Sequence, residues 1–91
     1  MDNQIWYVYL LECEGGKVYA GVSPNPNQRL STHQKGKGAL FTQLNHPQKL
    51  LAFKAYPTKT AALKMEKEIK KMPKQGKLIL AKIWNQEEHQ N

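Results

Sequence analysis

The sequence predicts an α/β domain of the α+β type, and three observations carry that expectation. An aromatic and aliphatic run, IWYVYLLEC, meets the paired glycines of EGG and is answered by a second β-rich run, KVYAGV. Two later stretches, NPNQRLSTHQKG and TKTAALKMEKEIKKMP, carry the capping and stop residues of helices. Between them KLLAFKAYP has the composition of a third strand, stopped by Pro57. With 91 residues and 40% hydrophobic content the chain has material for one core, expected over residues 1–84, and none for a second.

The hairpin comes first, and its register follows from the loop length, because side chains alternate faces along a strand. A two-residue Gly15-Gly16 turn would put Tyr9 and Tyr19 on opposite faces. A three-residue turn over Glu14, Gly15 and Gly16 pairs Cys13 with Lys17 and Tyr9 with Gly21. It also gathers Trp6, Val8, Leu10, Val18, Ala20 and Val22 on one apolar face and leaves Tyr7, Tyr9, Leu11, Tyr19 and Gly21 on the other. This clean segregation favours three residues. Gly16 then turns left-handed, which glycine does without the steric cost of a Cβ. Tyr9 and Tyr19 stand diagonal, within roughly 7–8 Å of each other.

Asn25 before Pro26 supplies an N-cap and a pre-set first helical residue, and Gly36 supplies a stop, giving a helix of about 26–35. GKGALFTQLNHP has mixed signals, with room for one helical turn before Pro47. After the third strand, Thr58 or Thr60 caps a helix that Pro73 halts, with Ala62, Met65, Ile69 and Met72 as its apolar stripe. A last amphipathic helix is expected over 75–84, with Leu78, Ile79, Ile83 and Trp84 for packing. The polar tail 85–91, NQEEHQN, is expected to be disordered.

Composition narrows the function. The single Cys13 excludes an internal disulfide and a multi-cysteine zinc site, and reads as a small hydrophobe in a reducing compartment. No apolar stretch approaches the roughly 18 residues of a membrane span, and MDNQIWYVY lacks the basic start of a signal peptide, so a cytoplasmic location is expected. Fourteen Lys and Arg against seven Asp and Glu leave a net charge of +7, which favours a polyanionic partner, nucleic acid first.

Arg29 and His33 lie four residues apart and so share a helix face, a spacing that exposed surface residues also show. Glu66 sits at the edge of the third helix's apolar stripe, where a carboxylate needs a partner; an i,i+4 ion pair with Lys70 would supply one. Glu68 points elsewhere, near Lys64 and Lys71. Lys59, Lys64, Lys67, Lys70, Lys71, Lys74 and Lys77 make a basic belt; Lys70, Lys71 and Lys77, with Lys35 and Lys37 after the first helix, are the candidate phosphate contacts.

In this order and spacing, YVYLL, VYAG, NQRLSTH, GKGA and AALKMEKEIKK resemble the GIY-YIG endonuclease superfamily, and within it the small free-standing bacterial proteins. The similarity runs over about residues 5–80. Tyr7-Val8-Tyr9 stands at the first signature and Tyr19-Ala20-Gly21 at the second; Arg29 matches the family's helical arginine, His33 the His or Tyr one turn later, and Glu66 the metal-binding carboxylate. The chain departs from the pattern by lacking the leading glycine and isoleucine, by Ala20 for isoleucine, and by Leu78 near the place of a polar asparagine, where Lys77 is the candidate replacement.

The resemblance implies a compact fold, a three-stranded antiparallel sheet flanked by helices, and metal-dependent hydrolysis of DNA phosphodiesters, in the setting of repair or recombination. It assigns Tyr9, Tyr19, Arg29 and His33 to catalysis and Glu66 to a single Mg²⁺ or Mn²⁺ ion. RNA is the second candidate substrate, and a monomer or weak homodimer is expected, with a partner protein as one source of specificity. The rival reading is a nucleic-acid-binding module of the same fold that does not cleave; a third is an interaction subunit of a repair or restriction complex.

Overall fold

The computed structural model describes residues 4–88. Strand β1 (Trp6–Cys13) turns through a 3₁₀ turn at Glu14–Gly16 into β2 (Val18–Ser23), followed by helices α1 (Pro26–Gln34) and α2 (Leu40–Leu44), strand β3 (Pro47–Tyr56), and helices α3 (Lys59–Lys70) and α4 (Lys74–Glu88). The sheet is antiparallel, in the order β2-β1-β3, so the expected three-stranded sheet flanked by helices is the one observed. The hairpin has the three-residue register: Tyr9 faces Gly21, Leu10 faces Ala20, and Cys13 N donates to Lys17 O at 2.7 Å. Gly15 and Gly16 both lie at positive φ, 77° and 74°.

Because β1 is central, both of its faces are covered, and the alternation read from the sequence separates two clusters. Val8, Leu10, Val18, Ala20 and Ala52 pack against Ala62 and Ile69 of α3 and Ala81 and Trp84 of α4. On the opposite face Tyr9, Leu11 and Cys13 pack with Tyr19, Leu30, Leu50 and Phe53. Val8, Leu10 and Ile69 are fully buried. Each contributes on the order of 1.5–3 kcal/mol by leaving water, and Ile69→Ala would cost about 2–5 kcal/mol.

Four features differ from the sequence expectation. First, β3 starts at Pro47, opposite Cys13, a place open to proline because a strand's first residue at a sheet edge need not donate to the ladder. Second, a register shift falls between Leu10, which faces Ala52, and Leu11, which faces Leu50. The extra residue, Leu51, lets three consecutive apolar side chains divide between the faces, Leu51 with Ala52 and Leu50 on the other side. Third, α4 does not end at 84 but runs to Glu88: Asn85 Nδ2 donates to Leu51 O at 3.0 Å and Lys54 pairs with Glu87 at 3.2 Å, so polar ties to β3 hold the segment expected to be disordered, of which residues 89–91 lie outside the described residues. Fourth, Ile79 and Ile83 face outward, 59% and 45% exposed, while Leu80 and Ala81 turn inward. The 3.6-residue period allows α4 one buried stripe, and Trp84 with Ala81 sets it.

Candidate active site

The site begins at the centre of the sheet. Tyr9 is 1% exposed, and its ring lies across Gly21 on the neighbouring strand. A Cβ at residue 21 would fall on the Tyr9 hydroxyl and 2.5 Å from ring carbon Cζ, so the position opposite Tyr9 must be bare. Tyr19, on the same face as expected, has its ring centroid 6.3 Å from that of Tyr9. Burial, then the neighbouring Tyr19, push the Tyr9 phenol up to about 12, against the pull of Arg29. Tyr19 is raised as well, by burial first and then by the charge of Glu66. Both phenols therefore stay protonated at neutral pH.

Helix α1 brings the next two groups. Asn25 Oδ1 accepts from Gln28 N at 3.2 Å and Pro26 opens the first turn, so the start of the helix is pinned where the sequence signals put it. One turn apart, Arg29 and His33 both reach Tyr9. The charge of Arg29 draws the Tyr9 pKa down, against burial. His33 is wholly buried, with Nε2 3.0 Å from Tyr9 Oη and its ring centroid 5.2 Å from that of Tyr19. Burial, then Arg29, lower the His33 pKa, so its imidazole is neutral at pH 7.

The loop and helix after α1 complete the enclosure, and here sequence reasoning missed two residues. His33 Nδ1 lies 2.6 Å from Thr42 Oγ1 on α2, and that hydroxyl donates to Ala39 O at 2.8 Å. Gly38 lies so close to the imidazole that a Cβ would come within 2.5 Å of its Cε1. The GKGA stretch was legible as a motif; that it packs against a histidine was not. Phe41, also on α2, stacks on Tyr19 at 5.7 Å and an interplanar angle of 28°.

Helix α3 reaches the site along the edge of β2. Thr58, not Thr60, caps it, accepting from Ala61 N at 3.1 Å, and the stripe of Ala62, Met65, Ile69 and Met72 packs as the sequence indicated. This rotation leaves the Glu66 side chain 18% exposed, with its charge felt by both Tyr9 and Tyr19. Lys70 Nζ pairs with Glu66 Oε2 at 3.5 Å and lies 5.8 Å from the Tyr19 ring centroid. Glu68 diverges and pairs with Lys71 at 3.6 Å. Of the candidate phosphate contacts, Lys70 and Lys77 line a cavity of about 290 Å³ with Val18, Tyr19, Ala20 and Phe41. Lys71 stands away from it with Glu68, and Lys35 and Lys37 are exposed at the end of α1. Leu78 packs into the core, and it is Lys77 that turns to the cavity.

Among the described residues no group of three or more His, Cys, Asp and Glu side chains could hold a metal ion. A lone, partly exposed carboxylate fits instead a hard cation such as Mg²⁺ or Mn²⁺, which keeps several waters and takes further oxygens from phosphate. Glu66 is the residue that would hold it. Also among the described residues, no helix is long and apolar enough to cross a membrane.

Comparison with known proteins identifies the family. A UPF0213 protein of Cupriavidus pinatubonensis is 42% identical over 73 residues, 80% of this chain and 81% of that one. Another, from Staphylococcus aureus strain Mu3, is 40% identical over 82 residues, 90% of this chain and 98% of its own. The solution NMR structure of a UPF0213 protein from Bacillus halodurans superposes with a TM-score of 0.55 at 35% identity, covering 87% of this chain and 84% of that one. Residues 5–78, the span that contains Tyr9, Gly21, Arg29, His33 and Glu66, match the GIY-YIG catalytic domain, and the chain belongs to that nuclease family.

Proposed function

We propose that the protein is a metal-dependent endonuclease that hydrolyses phosphodiester bonds in DNA, with RNA as the second substrate to be tested. One observation carries this reading: two phenols, a guanidinium, a neutral imidazole and a lone carboxylate act on one another beside a cavity rimmed by Lys70 and Lys77. A surface that only bound nucleic acid would need the lysines and not the buried set.

Hydrolysis requires a positioned water, neutralisation of charge on the phosphate, and a destination for the water's proton. Arg29 binds the non-bridging oxygens with its planar fork, which a lysine would not reproduce. Lys70 and Lys77 hold flanking phosphates, and Phe41 on Tyr19 gives the cavity an aromatic wall. Tyr9 orients the water. With its pKa near 12 a free phenolate is disfavoured, so Tyr9 accepts the water's proton while passing its own to His33 Nε2, 3.0 Å away. Tyr19 keeps the Tyr9 ring in place. A cation held by Glu66 would neutralise charge on the phosphate and on the leaving 3′ oxygen.

The Glu66–Lys70 ion pair favours the rival reading, a binding module that does not cleave, because it gives the carboxylate a partner without any metal. Glu66→Gln separates the two. Over duplex, single-stranded and branched DNA and RNA, with Mg²⁺, Mn²⁺ or EDTA, metal-dependent cleavage should fall by orders of magnitude in this variant while affinity without metal holds or rises. Glu68→Gln, paired elsewhere, should cleave as the parent does. Equal rates for Glu66→Gln and the parent, or no metal-dependent cleavage by the parent, would leave the binding module as the better account.

A further inference from the structure

We infer that Thr42 is a positioning residue, which fixes His33 in the tautomer that carries its proton on Nδ1 and so leaves Nε2 bare to receive the Tyr9 proton. The inference rests on the reading of Tyr9 and His33 as a proton-transfer pair. It is carried by a chain of buried hydrogen bonds whose direction is set at its Ala39 end.

At one end stands the Ala39 carbonyl, which can only accept. Thr42 Oγ1 lies 2.8 Å from it and has one proton, so that proton points at Ala39. The Thr42 oxygen then faces His33 Nδ1 at 2.6 Å with lone pairs only, and the hydrogen between them belongs to Nδ1. At the other end stands Tyr9. With the hydrogen on Nδ1, Nε2 is left with a lone pair only, so across the 3.0 Å to Tyr9 Oη it is the phenol that donates. A neutral imidazole carries one proton, and the Ala39 end places it on Nδ1.

Nothing in the surroundings competes with this assignment. His33 is wholly buried, Thr42 is 1% exposed, and no buried side-chain nitrogen or oxygen lacks a partner among the described residues. The imidazole takes up the space beside Gly38, where a Cβ would come within 2.5 Å of its Cε1. In the transfer step, the water oxygen bonds to phosphorus and the 3′ oxygen leaves with its electron pair. The water's proton goes to Tyr9 Oη, and the Tyr9 proton goes to Nε2, which makes His33 an imidazolium with both nitrogens protonated. The wrong tautomer, with its hydrogen on Nε2, has no lone pair there and blocks this step.

The test reads the tautomer directly, without relying on cleavage. The chain has three histidines, and replacing His46 and His89 by glutamine leaves His33 alone for long-range ¹H–¹⁵N spectroscopy at neutral pH. The expected spectrum shows a protonated Nδ1 and a bare Nε2; a protonated Nε2 overturns the inference. In Thr42→Val, similar in shape but without the oxygen, the populations should invert, and cleavage should fall by about 10²-fold or more, the usual size of a general acid–base contribution. Thr42→Ser should restore both. A Thr42→Val protein that keeps Nδ1 protonated also overturns the inference. If Thr42→Val does not fold, the parent spectrum and Thr42→Ser decide. A parent with the expected tautomer and no cleavage of any substrate supports the positioning role of Thr42 and removes the nuclease reading.

Discussion

Tyr9 shows how one residue can tie stability to chemistry. Its phenol titrates near 12 in the folded chain and near 10 when unfolded, so folding favours the protonated form. The stability this brings is complete below pH 10 and is lost as pH rises from 10 through 12, about 2–3 kcal/mol when ionisation is complete. Tyr9→Phe should therefore flatten the alkaline fall in stability, measured by urea unfolding between pH 9 and about 12. Tyr19 and Tyr56 are raised too, so part of the fall should remain. His33 acts at the acid end with the opposite sign: its depressed pKa contributes stability above the ordinary value of 6.5, and that contribution is lost as pH falls. A Tyr9→Phe protein with the parent's alkaline profile would contradict this account.

At the scale of elements, what was legible in the sequence was what is decided locally. The hairpin register, the Asn25 cap and the apolar stripe of α3 follow from alternation, capping chemistry and period, which act within a few residues. The β3 bulge at Leu51, the length of α4, and the roles of Thr42 and Gly38 depend on contacts between distant segments, on which no local period bears. The candidate site divides the same way: Tyr9, Tyr19, Arg29, His33 and Glu66 were singled out by type and spacing and given roles by the family resemblance, while the two residues that enclose His33 were not singled out. The belt of lysines also resolves only in three dimensions, since Lys70 and Lys77 line the cavity and Lys71 does not. Replacing Lys70 and Lys77 by alanine should flatten the slope of log affinity against log salt by about one to two units. Lys71→Ala should change it less. Filter binding or fluorescence anisotropy over about 50–300 mM salt would show which helix face meets the backbone.

For the whole molecule, both covered faces of the sheet are spent on packing, and the strand order leaves two edges, β2 and β3. Tyr19 of β2, on the face opposite the α3–α4 cluster, and Glu66 of α3 meet around the β2 edge, so the site straddles the sheet rather than lying on one side. The Cα radius of gyration, 12.7 Å, is that of a compact small domain. With a net charge of +7, a monomer should be the species at low ionic strength, and added salt, by screening repulsion, should raise any self-association seen by sedimentation. Self-association that weakens on adding salt would speak against this. An open strand edge ordinarily invites another strand to pair with it, the first step toward aggregates. Here Lys70 and Lys77 stand beside Val18–Ala20 on β2, and a second copy approaching that edge would bring its own lysines against them. The same two ammonium groups proposed to draw in a polyanion would thus also act as gatekeepers, keeping the chain from its own kind.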